Sequence, residues 1–298
     1  MKKNLTNAIT LPVILLSAVL ATACDNEDPT PSVPGTAPTV ARAYVSGYSG
    51  DGQALEGENT VKDLQACIFE DGQMTAVFPN IPVSGSTYDI QVGGYTGNLY
   101  VVANAGSQLD LTALKERGTT EEEWLRHTLT MDREGPAHFF SGRADLSSAG
   151  QPTVPVSLQR GVARFDLKLR TAGETSVSGI TFRNVAQSVH LFPVPGVYSP
   201  ADVSRDVAAV TFDEPLTTDK AGVLYVYEQA NDDITVEVDA LIDGRPVKLT
   251  KTLAGDLKRN TIYTLTVRKD HIDVTLDITF EDWETGSDTE LTPTVRHL

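Results

Sequence analysis

The side chains able to do chemistry in this chain are scattered rather than grouped. The five histidines are His127, His138, His190, His271 and His297. No two of them stand at a metal-ligand spacing, and no cysteine pair assists them. Cys67 lies in "LQACIFE", a β-like run with nothing nearby to activate a thiol, and reads as a small buried hydrophobe. "GYSGDG" (47–52) carries the serine of a nucleophile elbow, but Asp51 stands where the last glycine should be. The chain has 40 acidic residues, so an acid–base pair is available, yet spacing singles none out. Phosphate-loop, calcium-loop and dinucleotide patterns are missing from the sequence. The expectation is a protein with no catalytic residues, no metal and no cofactor, and not an enzyme.

The aromatic residues are a second possible chemistry, stacking on sugar rings. Tyr44, Tyr48, Tyr95, Trp124, Tyr198, Tyr225, Tyr227 and Trp283 are the candidates. Most fall at strand or helix positions that would face a core, which is the plainer use of an aromatic ring.

The N-terminus carries a different kind of signal. Lys2 and Lys3 precede an apolar run ending in Ala21, Thr22 and Ala23, and Cys24 follows at once. This is the head, core and small-residue site of a secretory signal. Small residues running into a cysteine resemble the lipobox of bacterial lipoproteins, with Ala21 where a leucine is usual. The resemblance implies cleavage between Ala23 and Cys24 and lipid on Cys24. An ordinary cleaved signal with an incidental Cys24 is the alternative. Asp25, Glu27 and Asp28, then Pro29, Pro31, Pro34 and Pro38, make residues 24–38 an acidic, proline-rich tether. An acidic run after a lipidated cysteine also resembles the surface-export signal of Bacteroidota lipoproteins. Two or more acyl chains such as palmitate would anchor stably, where one would not.

Removing residues 1–23 from 298 leaves 275, enough for about two domains of common size. Lys2 and Lys3 leave with the signal, so 22 of the 24 basic residues face 40 acids, a net charge of −18. That excess argues against nucleic acid as a partner. With Cys24 lipidated, Cys67 has no intrachain partner, and stability must come from packed cores.

Beyond the tether, period-two alternation dominates. Strands are expected over 61–69, 88–92, 99–103, 224–227, 234–242 and 274–280, with Tyr263, Leu265 and Val267 on one face of another. In "RGVARFDLKLR", Ala163, Phe165, Leu167 and Leu169 point one way and Arg164, Asp166, Lys168 and Arg170 the other, a half-buried strand. A short helix is expected over Leu109 to Arg117. A second begins at Thr120, whose capping-box partner is Glu123. Trp124, Leu125 and Leu129 would face the sheet. Residues 145–157 read as a linker. Many short strands with Gly-rich and Pro-rich turns predict a mainly β chain of β-sandwiches.

"GNLYVVANAG" (97–106), "RGVARFDLKL" (160–169) and "DITFEDWETG" (277–286) resemble the fimbrillin-type lipoproteins of Bacteroidales type V pili. So does their order, with a helical insertion after the "VVAN" strand. The resemblance implies two tandem transthyretin-like β-sandwich domains, over 39–157 and 158–285, with the helices in the first and a tail over 286–298. It implies a fimbrial subunit or anchor, held at the cell outer membrane by lipid on Cys24 and exposed at the surface. Its partners would be other subunits, met head to tail by strand complementation, and a host or bacterial surface ligand. Polymerising members are trimmed after an arginine near the first strand. The candidate here is Arg42, with the cut before Ala43, although a solvated strand arginine would look the same. The tail, with Leu291, Val295 and Leu298, is either a donor segment or a frayed end. A glycan-binding surface lipoprotein is the alternative reading, and a glycan-active enzyme a further one.

Overall fold

The structure, a computed structural model, describes residues 38–50, 52–133, 135–147, 151–269 and 274–280. The first strands are β1 (Val40–Val45), β2 (Leu64–Glu70), β3 (Gln73–Phe78), β4 (Thr87–Gln91) and β5 (Asn98–Ala103). Two short helices follow, α1 (Leu111–Glu116) and α2 (Glu121–Leu125), then β6 (Thr128–Thr130), β7 (Phe140–Asp145) and β8 (Thr153–Arg160). Seven of these strands form one sheet in the order β3-β2-β5-β7-β8-β1-β4. β7 and β8 share only the pairs Phe140↔Arg160 and Ser141↔Gln159. The sheet folds over at that short seam. Side chains from both of its ends, Ala41, Ala43, Ile68, Ile90, Val101 and Leu158 among them, therefore share one core. Gly142 permits the crossing, because a Cβ there would run into the Ser157 carbonyl.

The remaining strands are β9 (Val162–Thr171), β10 (Thr175–Ala186), β11 (Ser188–His190), β12 (Arg205–Leu216), β13 (Lys220–Tyr227), β14 (Thr235–Ile242), β15 (Arg245–Thr252), β16 (Ile262–Lys269) and β17 (Val274–Phe280). They build two four-stranded sheets, β12-β10-β14-β15 and β13-β9-β16-β17. A second core lies between them, with Phe165, Phe182, Val238, Tyr263 and Leu265. The chain is thus mainly β, as its alternation predicts. A third core joins the N-terminal and C-terminal strands. Cys67, Tyr100, Trp124 and Phe139 pack there with Val162, Leu191, Phe192 and Tyr227. β6 and β11 pair across the same boundary.

The helices form where their caps place them. Asp110 accepts from the Ala113 amide at 3.0 Å to start α1, which is shorter at both ends than expected. Thr120 and Glu123 cap α2 reciprocally. That cap seats Trp124 in the third core, against Phe69, Tyr100 and Phe192. Leu129 is fully buried and Leu125 packs against the same core.

One expectation fails. Of residues 145–157, expected as a linker, 153–157 instead belong to strand β8, with Val156 and Leu158 of that strand fully buried. The carbonyls of Pro152 and Leu158 accept from β1, so even-numbered residues turn their backbone groups that way. Pro155 faces the other edge, where β7 does not pair, and its missing N–H breaks no ladder bond. Replacing Thr120 by Ala removes half of the capping box. Stability is expected to fall by about 1 kcal/mol, lowering the calorimetric Tm by roughly 2–4 °C.

Candidate functional site

Strand β1 lies between two partners. It runs parallel to β8, from Val40↔Thr153 to Val45↔Leu158, and antiparallel to β4, from Val40↔Gln91 to Tyr44↔Thr87. Its inward side chains are small: Ala41 and Ala43 are fully buried and Val45 packs beside them. β4 enters the sheet through β1 and has no other strand neighbour among the described residues.

Arg42 occupies the middle of this strand. Its Nε and Nη2 donate to the two carboxylate oxygens of Asp89, across the β1–β4 pair, at 2.7 and 2.9 Å. This pair is solvent-exposed, so it contributes little to stability. Ala43, on the far side of the candidate cut, faces the core. The Arg42–Ala43 peptide bond is therefore held within a strand that is paired on both edges. Ala23, Cys24 and the tail over 286–298 lie outside the described residues, as do Trp283, His271 and His297.

The chain leaving β1 forms a strap. Ser46 donates from its amide and hydroxyl to the Leu158 carbonyl, at 2.9 and 3.0 Å. Arg160 donates through Nη1 to the Ser46 carbonyl and to Asn260 Oδ1, both at 2.9 Å, and through Nη2 to Asn59. Asn260 donates to the Gly47 carbonyl at 2.8 Å, and its own carbonyl accepts from the Ser49 amide at 2.8 Å. The Arg160 guanidinium lies 4.2 Å over the Tyr48 ring.

Glu58 closes the strap. It accepts from Tyr225 Oη at 2.7 Å, Tyr48 Oη at 2.9 Å, the Leu55 amide at 2.5 Å and Arg164 Nη1 at 2.9 Å. Burial alone would raise the Glu58 pKa, but the Tyr225 hydroxyl, the Leu55 amide, the Tyr48 hydroxyl and the Arg164 charge together hold it below the usual carboxylate range. Arg164 also grips Asp166 with Nε and Nη2, at 2.9 and 3.0 Å. The expectation of a solvated polar face on β9 fails here: Arg164 is 3 % exposed, covered by the strap. The His138 ring lies tilted against Tyr225, with centroids 4.5 Å apart. An open groove of about 840 Å³ lies beyond, between Lys62, Asn104 and His138 on one side and Val207, Val210 and Leu224 on the other.

Among the described residues, which include His127, His138 and His190, no three or more His, Cys, Asp or Glu side chains group to hold a metal ion. Cys67 is buried and its thiol is pushed well up by burial. Ser49 bridges Thr261 as backbone, not as a nucleophile elbow. Of the aromatic candidates, Tyr48, Trp124 and Tyr227 are buried, Tyr95 and Tyr225 pack partly on cores, and Tyr44 is 39 % exposed. Sequence reading missed Glu58, Arg160 and Asn260. The only hint was their placement beside glycine and asparagine turns, since ion pairs between distant residues leave no local pattern.

No family model matches the chain, and no curated protein matches it. Solved structures do. A candidate cell-adhesion protein from Bacteroides eggerthii superposes with a TM-score of 0.57 at 15% identity, covering 85% of this chain and 98% of that one. The chain has the fold of fimbrial and cell-adhesion proteins of Bacteroidales. The tip fimbrial protein Mfa3 from Porphyromonas gingivalis gives 0.56 at 15% identity, over 82% of this chain and 100% of that one. A fimbrilin from Porphyromonas gingivalis gives 0.51 at 12% identity, over 83% and 97%. In all three the correspondence runs through both halves of the described chain, so it extends beyond a single sheet.

Two tests address the strap. Glu58→Ala leaves two tyrosine hydroxyls and part of a buried guanidinium without a partner. The expected loss is about 3–5 kcal/mol, read as a lower urea midpoint; an unchanged midpoint would show that the strap carries no stability. The second concerns pH. Burial lowers the pKa of His127, His138 and His190, so the folded chain binds protons less readily than the unfolded one. Stability is full above the unfolded histidine pKa of about 6.5 and falls as pH drops through it. The lowered Glu58 pKa acts in the same direction at lower pH, since its contribution is lost on protonation. Thermal unfolding followed between pH 7.5 and pH 5 should show a falling Tm.

Proposed function

We propose that this chain is a surface-exposed lipoprotein, anchored to the outer membrane through lipid on Cys24, that serves as a structural subunit or anchor of a fimbrium. On this reading its two β-rich halves are tandem transthyretin-like sandwiches, and its work is assembly and adhesion rather than catalysis. The observation that carries the reading is the place of β1. The first strand among the described residues lies between β8 and β4 and is joined to the next strand by the long strap. Among the described strands it is therefore the one whose removal from the N-terminal side leaves every other strand connected in sequence.

Taking β1 out would expose the unpaired edges of β8 and β4 and the floor of the core beneath Ala41, Ala43 and Val45. Open backbone edges over an apolar floor accept an added strand, which satisfies both at once. If a neighbouring subunit supplies that strand, the contact is head to tail and does not close, so it propagates as a filament. Arg42 is the proposed trimming position, with Ala43 as the new N-terminus; that cut by itself frees only the part of β1 before Ala43. The fimbrial proteins that share the fold support the reading.

Intact-mass and N-terminal peptide analysis of the native protein tests it, comparing membranes with sheared surface filaments. Acylated Cys24 in the membrane fraction, or a chain starting at Ala43 in filaments, is the expected result. An unacylated Cys24 on a freely soluble protein would refute it.

A further inference from the structure

We propose that the strap over residues 46–58 latches the second half of β1 into the sheet, so that loss of everything up to Arg42 leaves the acceptor groove half filled. This rests on the reading of the chain as a strand-exchanging subunit, and it assigns the chain to the end of such an assembly rather than its repeating length.

The two halves of β1 are held by different means. Thr39 and Val40 are tied mainly by backbone bonds: their amides donate to the Pro152 carbonyl at 3.0 and 3.2 Å, and the Thr39 carbonyl accepts from Val92; the one side-chain bond, from the Thr39 hydroxyl to the Pro152 carbonyl at 3.1 Å, is exposed. Arg42 adds an exposed ion pair with Asp89. Nothing buried and polar secures this half. The second half runs straight into the strap. Ser46, Gly47 and Ser49 are each bonded, and their three partners, Leu158, Arg160 and Asn260, are all buried. Tyr48 is buried beneath Arg160 and bonded to Glu58, which Arg164 and Tyr225 hold in turn. None of these bonds involves a residue before Ala43.

A cut after Arg42 therefore removes the pairs opposite Thr153, Val154 and Pro155 on β8 and opposite Asp89, Ile90 and Gln91 on β4. Ala43, Tyr44 and Val45 remain paired with Val156, Ser157 and Leu158, and Tyr88 and Thr87 remain covered. The vacated stretch, Thr39 to Arg42, spans roughly 13 Å at about 3.3 Å per residue. With Pro38 just before it, it gives up only small buried side chains, Pro38 and Ala41, and the half-buried Val40. An incoming strand gains a few backbone bonds there and little apolar burial, then meets the retained stub. The same latch slows the cut, because a protease that grips both sides of its scissile bond needs Ala43 to Val45 out of the sheet.

Hydrogen exchange read by mass spectrometry tests the latch in the full chain. Amides of residues 43–50 should exchange at least ~10-fold more slowly than those of 39–42. Asn260→Ala, which removes the bond to the Gly47 carbonyl and the acceptor that holds Arg160 but no part of β1, should raise exchange in 46–49 while leaving 39–42 unchanged. Equal protection across 39–50, or no response to Asn260→Ala, would overturn the latch. A chain that begins at Ala43, made by cleavage with an arginine-specific protease, gives a further reading. It should keep residues 43–50 protected and should not take up a synthetic peptide of sequence TVARAYV. Uptake of that peptide with loss of protection over 43–50 would overturn the proposal. These readouts do not depend on finding the protein in filaments, so the latch and the fimbrial reading fail separately.

Discussion

Glu58 is the group on which the joining of the two halves depends. Its carboxylate is the common acceptor for a hydroxyl from β13, a hydroxyl and an amide from the strap, and a guanidinium from β9. A carboxylate so deeply covered is tolerable only when donors replace the water it has lost, and four donors do so. Without it, Arg164 and two tyrosines would be buried with bonds unmade. Such pairs add less to net stability than their Coulomb energy suggests, but they are intolerant of the wrong arrangement. Glu58 thus fixes where a long connection must lie, which a purely apolar contact would not.

Arg259 plays a similar part on the other side of the third core. It pairs with Glu228 at 2.8 Å and donates to the carbonyls of His190 and Leu191, fixing the end of β11. Burial lowers its pKa while the Glu228 charge opposes that shift. Around these polar fixtures the third core packs its largest rings, Trp124, Tyr100 and Phe192. The short helices contribute mainly by delivering Trp124 to it. The junction is therefore an extension of the protein interior, with both apolar packing and directional bonds, rather than a loose contact between independent sheets.

The same architecture gives β1 its double character. As a strand between β8 and β4 it completes a core, yet its inward side chains are among the smallest there. Its first half is held by main-chain bonds, an exposed hydroxyl bond from Thr39 and an exposed ion pair, and its second half by the strap. A strand of this kind can fray from one end without loosening the rest, because stability is distributed unevenly along it. That asymmetry comes from Arg160 and Asn260, residues more than a hundred positions away.

The sequence by itself determined the strands and caps, because these rest on local rules. Alternation in "RFDLKL" and "NLYVV" placed β9 and β5, and Thr120 with Glu123 placed α2, since side-chain direction repeats every two residues in a strand and a cap acts within one turn. Only the tertiary structure decided that "PTVPVS" is a strand. Proline breaks strands in general, and the sequence does not say that Pro155 faces an unpaired edge. Only the fold, too, brought Glu58 to Arg164 and Arg160 to Asn260. Those pairs join residues about a hundred positions apart, where no periodicity operates and contact is set by how the sheets pack. The place of Arg42 was legible as a strand position. That its two neighbours in the sheet are β4 and β8, and that the chain beyond it is latched, followed from long-range pairing that spacing does not encode.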